Sequence, residues 1–77
     1  MRYELRYVQV AEEQLRALPP TARKAVDKEL SKIRDDPYRG AKKGAHGTFW
    51  RDFPAGQILY MISDHIITVT VLRITAL

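Results

Sequence analysis

Positive charge gathers between Tyr38 and Gly47, where Arg39, Lys42, Lys43 and His46 stand among glycines with no carboxylate between them. Arg51 follows in an aromatic stretch, Gln57 opens the next apolar run, and Arg73 lies near the end of the last one. Residues of these types suit a phosphodiester. Guanidinium and ammonium groups stabilise charge developing on phosphate oxygens, and an imidazole can move protons near neutrality. The catalytic candidates for such chemistry are Arg51, Arg73 and His46, with Lys42, Lys43, Arg39 and Gln57 as candidates to meet a nucleic-acid backbone. Each has a structural competitor. His46 also reads as a loop residue without a task, and the lysines as solvated charge. Arg73 falls on the apolar parity of its strand, which suits an ion pair with a helix carboxylate such as Asp27. Trp50 and Tyr60 read as core rather than as platforms for bases. Asp64 and His65 read as a turn. No second His or Cys nearby completes a metal site, so no metal or other cofactor is expected.

A chain of 77 residues has room for one domain, 1–77, with a thin core. Its 13 basic and 9 acidic residues give a net charge of +4, which favours an anionic partner such as nucleic acid or an acidic protein segment. The lack of cysteine fits a reducing, cytoplasmic setting. No apolar run is long enough to span a membrane, so no membrane association is expected. The opening Arg-Tyr-Glu-Leu-Arg-Tyr alternates charge with apolar groups, as a half-buried strand does and a signal peptide does not.

These groups must be held by a small set of elements. The pattern predicts strands near 2–8, 48–53, 57–63 and 66–74 and helices near 11–18 and 21–34. Ala11, Leu15 and Leu18 face inward on the first helix, and Pro19-Pro20 ends it. Thr21 is a good N-cap for the second helix, unless Pro20 takes its first turn. Ala22, Val26, Leu30 and Ile33 form the apolar stripe of that helix, and Asp35-Asp36-Pro37 stops it. Residues 38–47 read as a loop. The order is β-α-α-β-β-β, an α+β two-layer sandwich with a helical hairpin packed on an antiparallel-dominated sheet. The helical hairpin should return the chain so that strand 48–53 runs antiparallel to strand 2–8.

The last two strands organise the rest. A turn at Asp64-His65 pairs Ser63 with Ile66, Tyr60 with Val69 and Gly56 with Arg73; a loop two residues longer keeps the same parity. One face then carries Ile58, Tyr60, Ile62, Ile67, Val69 and Val71 and needs a cover. The other carries Gln57, Leu59, Met61, Ser63, Thr68, Thr70 and Leu72, and can meet water or a partner.

In order along the chain come Arg-Tyr-Glu-Leu-Arg-Tyr, Gln-Leu-Arg-Ala-Leu-Pro, Asp-Asp-Pro-Tyr, Ala-Lys-Lys, Phe-Trp-Arg, Ile-Leu-Tyr and Val-Leu-Arg-Ile. With these motifs the sequence resembles the RelE/ParE superfamily of bacterial type II toxins over nearly its whole length. The resemblance implies a RelE-like fold and a cognate antitoxin that wraps the toxin, with Leu59, Met61 and Leu72 as the surface it covers. It implies a ribosome-dependent mRNA endoribonuclease, or mRNA interferase, inhibiting translation without metal. The alternatives are a ParE-like inhibitor of DNA gyrase, or a degenerate toxin that mainly binds its antitoxin. Two departures bear on chemistry. Members usually carry an arginine where Gln57 stands, and a Gly-His-Arg-like segment with a tyrosine-bearing tail where Thr75-Ala76-Leu77 stands. Slow cleavage is the expectation.

Overall fold

The computed structural model describes residues 2–76; Met1 and Leu77 lie outside the described residues. Strand β1 (Glu4–Tyr7) leads into helix α1 (Gln9–Arg16), which starts two residues before the expected position. Helix α2 (Pro20–Asp35) has Pro20 as its first residue, not Thr21 as a cap. Proline's fixed φ suits the first helical turn, where its missing N–H has no partner to lose. Then come β2 (Lys42–Lys43), a 3₁₀ turn (Ala45–Gly47), β3 (Phe49–Phe53), β4 (Gly56–Ser63) and β5 (Thr68–Ala76). All five strands form one sheet in the order β1-β5-β4-β3-β2. The stretch 38–47 is therefore not all loop, because Lys42 and Lys43 pair with Trp50 and Phe49.

That short pairing also corrects a strand direction. β1 is parallel to β5, β5 is antiparallel to β4, and β4 is antiparallel to β3. β3 consequently runs the same way as β1. The helical hairpin does return the chain, but β2 and the tight turn after it reverse it once more before β3 begins.

Both helices cover one face of the sheet. Ala11 and Leu15 of α1 and Val26, Leu30 and Ile33 of α2 are buried against Ile58, Tyr60, Val69, Val71 and Ile74, with Leu18, Phe49, Phe53 and Ile62 packed around them. The apolar parity of β4 and β5 is thus the inner face, as expected. Tyr60 is the hub. Its ring is fully buried and stacks at 6.3 Å on Phe49, and its hydroxyl donates to the Pro37 carbonyl at 2.7 Å. Burial pushes that phenol up to about 12.

The β4–β5 connection is longer than a two-residue turn. Asp64 to Ile67 form the loop and Ser63 pairs with Thr68. A two-residue hairpin turn of the favoured type needs positive φ at both central residues, and neither Asp64 nor His65 has it, whereas Ile67 does at 49°. Ile67 is therefore a partly exposed loop residue and not part of the inner face. Thr68 keeps the outer parity yet is buried, its hydroxyl donating to the Ile66 carbonyl at 2.9 Å. The carboxylate of Asp64 anchors this loop by accepting hydrogen bonds from the Tyr3 hydroxyl at 2.5 Å and from the Tyr38 hydroxyl.

A second irregularity matters more. Tyr60 pairs with Val71, but the next residue, Leu59, pairs with Arg73, so Leu72 is an extra residue in β5. Such a β-bulge lets two consecutive side chains share a face and flips the parity beyond it. Ile74 then enters the core and Arg73 is exposed. Gly56 pairs with Ala76, not with Arg73. It must be glycine: its φ is 152°, and a Cβ there would lie 1.8 Å from the Thr75 carbonyl oxygen.

Candidate functional site

The bulge builds a row of side chains across the uncovered face of the sheet. Lys42 pairs with Trp50, Trp50 with Leu59 and Leu59 with Arg73, so one residue from each of β2, β3, β4 and β5 lies in register. A second row beside it runs Asp52, Gln57, Thr75. Trp50, Gln57, Leu59, Arg73 and Thr75 line a shallow groove of about 160 Å³. At adjacent-strand spacings of about 4.8 Å, the backbone positions at the two ends of the first row stand roughly 14 Å apart. One end is held by Lys42, whose ammonium lies 4.8 Å from the centre of the Trp50 ring and 3.3 Å from Asp52 Oδ2. The other end is held by Arg73, which makes no ion pair among the described residues.

Two contacts fix β5 where Arg73 projects. β1 stops at Tyr7, which pairs with Val71, and the edge of β5 beyond that point would be bare. The Gln14 side chain of α1 fills the gap, its Oε1 accepting from the Ile74 N–H at 2.7 Å. Buried backbone donors rarely go unpaired, so this bond secures the strand immediately after Arg73. The pairing of Arg73 with Asp27 does not occur. Asp27 sits on the helix side and accepts from Arg23 at 3.2 Å.

Arg51 takes the role that sequence parity suggested for Arg73. It pairs with Ile58 and points beneath α2, where its guanidinium lies 2.8 Å from Glu29. The two side chains are only 13% and 8% exposed, and Lys32 approaches the same carboxylate at 3.7 Å. What remains accessible of Arg51 opens into a cleft of about 440 Å³ with Lys32, Asp35, Asp36 and Arg39, on the opposite side of the sheet from the groove. Arg39 therefore stands apart from Lys42. Lys43 pairs with Phe49 and so has the opposite parity to Lys42.

His46 occupies the 3₁₀ turn between β2 and β3 in a left-handed conformation, φ 57°, and does not line the groove. Of the apolar trio, Met61 is 41% exposed and Leu59 and Leu72 are half-buried on the uncovered face; Leu59 alone of the three lines the groove. Trp50 is half-buried on this same face and not in the core. Among the described residues, no group of three or more His, Cys, Asp or Glu side chains could hold a metal ion.

The arrangement offers two separated cations for phosphate, an accessible indole for a base, and an amide and a hydroxyl between them. It has the makings of a nucleic-acid surface. No known family profile matches the chain, and no curated protein sequence matches it. Solved structures do. The chain is similar to one from the toxin–antitoxin complex RelBE2 of Mycobacterium tuberculosis, with a TM-score of 0.90 and 28% identity over 100% of both chains. The chain belongs to the RelE/ParE superfamily. The intact Escherichia coli RelBE toxin–antitoxin complex matches at a TM-score of 0.84 and 19% identity, covering 97% of this chain and 96% of that one. A YoeB/ParE toxin from Agrobacterium tumefaciens matches at 0.77 and 12%, covering 96% and 98%. Within the RelE/ParE superfamily the chain is RelE-like, and the ParE-like reading is not favoured.

Two parts of this site escaped the sequence. Asp52 gave no sign of pairing with Lys42, because a two-residue strand carries no periodic signal. Glu29 was detectable. It lies at helical spacing from Val26 and Ile33, a buried-stripe position that a carboxylate occupies only with a partner.

Proposed function

We propose that this chain is the toxin of a type II toxin–antitoxin pair and acts in the cytoplasm as a ribosome-dependent mRNA endoribonuclease. The observation that carries the proposal is the cross-strand row Lys42–Trp50–Leu59–Arg73. It offers cations and a stacking surface on the only sheet face that the helices leave open. Arg73 stabilises negative charge on the phosphate undergoing attack, and Lys42 holds a neighbouring phosphate. Trp50 stacks on a base that the ribosome presents unpaired. Gln57 lies in the second row where a charged donor would help most. A neutral amide stabilises a phosphorane less than a guanidinium does, so cleavage is slow. Arg51 acts through position alone, holding β3 against α2 so that Trp50 and Asp52 face outward.

The antitoxin is the natural partner of such a chain, since neighbours such as RelBE2 and Escherichia coli RelBE are toxin–antitoxin complexes. A segment rich in apolar and acidic residues would cover Leu59, Met61 and Leu72 and hide the groove beside them. No helix among the described residues is long and apolar enough to cross a membrane.

The test is primer extension on a defined mRNA translated by purified ribosomes, with and without the purified chain. New 5′ ends within codons are expected, appearing slowly and only during translation. Intact mRNA with trapped gyrase–DNA complexes in expressing cells would instead assign the chain to gyrase. Co-expression with the adjacent reading frame should yield a complex and abolish the cuts.

A further inference from the structure

Among the described residues, two polar side-chain contacts join a helix to a strand. One is the buried pair of Glu29 in α2 with Arg51 in β3. The other is the bond from the Ile74 N–H of β5 to Gln14 Oε1 of α1. Gln14 is half-buried beside Ala11 and Leu15, through which α1 enters the core. Packing alone would favour a hydrocarbon at such a position, so the amide answers a need of β5. That need arises where three features meet. The last bond from the β1 side runs from the Val8 N–H to the Val71 carbonyl at 3.1 Å, and β5 is an edge from there on. Leu72 then interrupts the ladder to β4. Arg73 follows, exposed and free of ion pairs among the described residues. Backbone groups of successive residues in an antiparallel strand face opposite edges. With Ile74 turned outward, the main chain of Arg73 is held by β4 alone, just past the irregular step.

We propose that Gln14 is the positioning residue of Arg73: by holding the Ile74 N–H it fixes β5 past the bulge and so sets where the guanidinium stands. This rests on the ribonuclease reading above, in which Arg73 stabilises charge on the phosphate, and adds the residue that aims it. Gln14 belongs to the helix layer and Arg73 lines the groove on the uncovered face, so the effect crosses the sheet through the main chain of β5. A guanidinium on a loosely held strand spreads over several positions. Stabilising a developing charge needs it at one. Without Gln14 the Ile74 N–H has no partner, and the segment from Leu72 to Ile74 keeps contacts on its β4 side only.

The experiment is single-turnover cleavage of a defined mRNA on ribosomes by wild type, Gln14→Leu and Gln14→Glu, each with Arg73 present and with Arg73→Ala. Affinity for the programmed ribosome, thermal melting and hydrogen exchange of the Ile74 amide are measured alongside. Gln14→Leu keeps the bulk and removes the acceptor. It should lower the rate by roughly 10- to 100-fold, the usual worth of misplacing a reacting partner, with ribosome affinity kept and the Ile74 amide exchanging faster. Gln14→Glu retains an acceptor and should restore both rate and protection. In the Arg73→Ala background Gln14→Leu should cost almost nothing more, because there is no guanidinium left to aim. Wild type that never cuts would overturn the ribonuclease reading and this inference with it. Wild type that cuts while Gln14→Leu stays within about threefold of it would overturn the inference alone. Equal losses from Gln14→Leu in both backgrounds would also overturn it, since the amide would then act by a route other than Arg73. So would an Ile74 amide that exchanges equally fast in wild type and Gln14→Leu.

Discussion

Arg51 and Arg73 start from similar surroundings, Phe-Trp-Arg in one strand and Val-Leu-Arg-Ile in another, and end on opposite faces of the same sheet. Arg51 goes inward, gives up its solvent and settles on Glu29. Arg73 goes outward and stays unpaired among the described residues. Local composition does not separate them. Strand register does, and for Arg73 one extra residue, Leu72, sets the register. A basic side chain becomes structural or available according to the face it lands on.

The comparison breaks most visibly at Arg51. Replacing it with Ala leaves the Glu29 carboxylate buried without its closest partner, which should cost about 3–5 kcal/mol of stability. Replacing both Arg51 and Glu29 with Met should recover most of that, because well-packed apolar groups can substitute for a buried pair. Urea melts of the single and double variants decide it. A single-variant loss below about 1 kcal/mol would mean that the pair is looser than the geometry indicates.

At Arg73 the two readouts should change places. Arg73→Ala should leave the urea midpoint almost unmoved and lower ribosomal mRNA cleavage by roughly 10²–10³-fold, about 2.7–4 kcal/mol of lost transition-state stabilisation. Full cleavage by a folded Arg73→Ala variant would remove this residue from the site.

A smaller effect in the opposite direction is expected next to it. Gln57→Arg places a guanidinium in the second row between Asp52 and Thr75. It should accelerate cleavage by about 1–3 kcal/mol, the margin of a charged over a neutral hydrogen bond. Unchanged or slower cleavage would indicate that the new charge is drawn to Asp52 instead of the phosphate.

Much of the frame was readable before any coordinates. Alternation in Ile58, Tyr60, Val69 and Val71 fixed the buried face, because burial demands period two in a strand. The spacing of Val26, Leu30 and Ile33 did the same for α2. The site was less readable, since it depends on three departures from regular pairing. The Val-Thr-Val-Leu-Arg-Ile run contains no glycine or proline to mark a bulge. Ile67 adopts a positive φ that β-branched residues seldom take. Lys42 and Lys43 form a strand too short to have a period. The bulge carried Arg73 outward, and the short β2 brought Lys42 to Trp50 and Asp52. Regular pairing of β3 with β4 left Arg51, which had been a catalytic candidate beside Arg73, beneath α2.

The hairpin tip gives the smallest expected effect and a test of what holds the inner and outer halves in register. Asp64 accepts from Tyr3 and Tyr38, joining the β4–β5 loop to the residue just before β1 and to the segment after α2. Those two hydrogen bonds hold its carboxyl below the usual carboxylate range, and the same bond from Tyr3 pushes that phenol up to about 12. A depressed carboxylate contributes stability that is present above its unfolded-state value and lost as pH falls through the folded one. A raised phenol contributes stability that is present below its ordinary value near 10 and lost as pH climbs toward about 12. Asp64→Asn keeps an acceptor but removes the charge, so its melting temperature should sit slightly below wild type across the neutral range. The gap should narrow in acid, where wild-type Asp64 takes up its proton, and narrow again in strong alkali. Thermal melts of both proteins across that range are the measurement. Parallel curves with a constant gap would show that the loop is held by shape and not by the charge on Asp64.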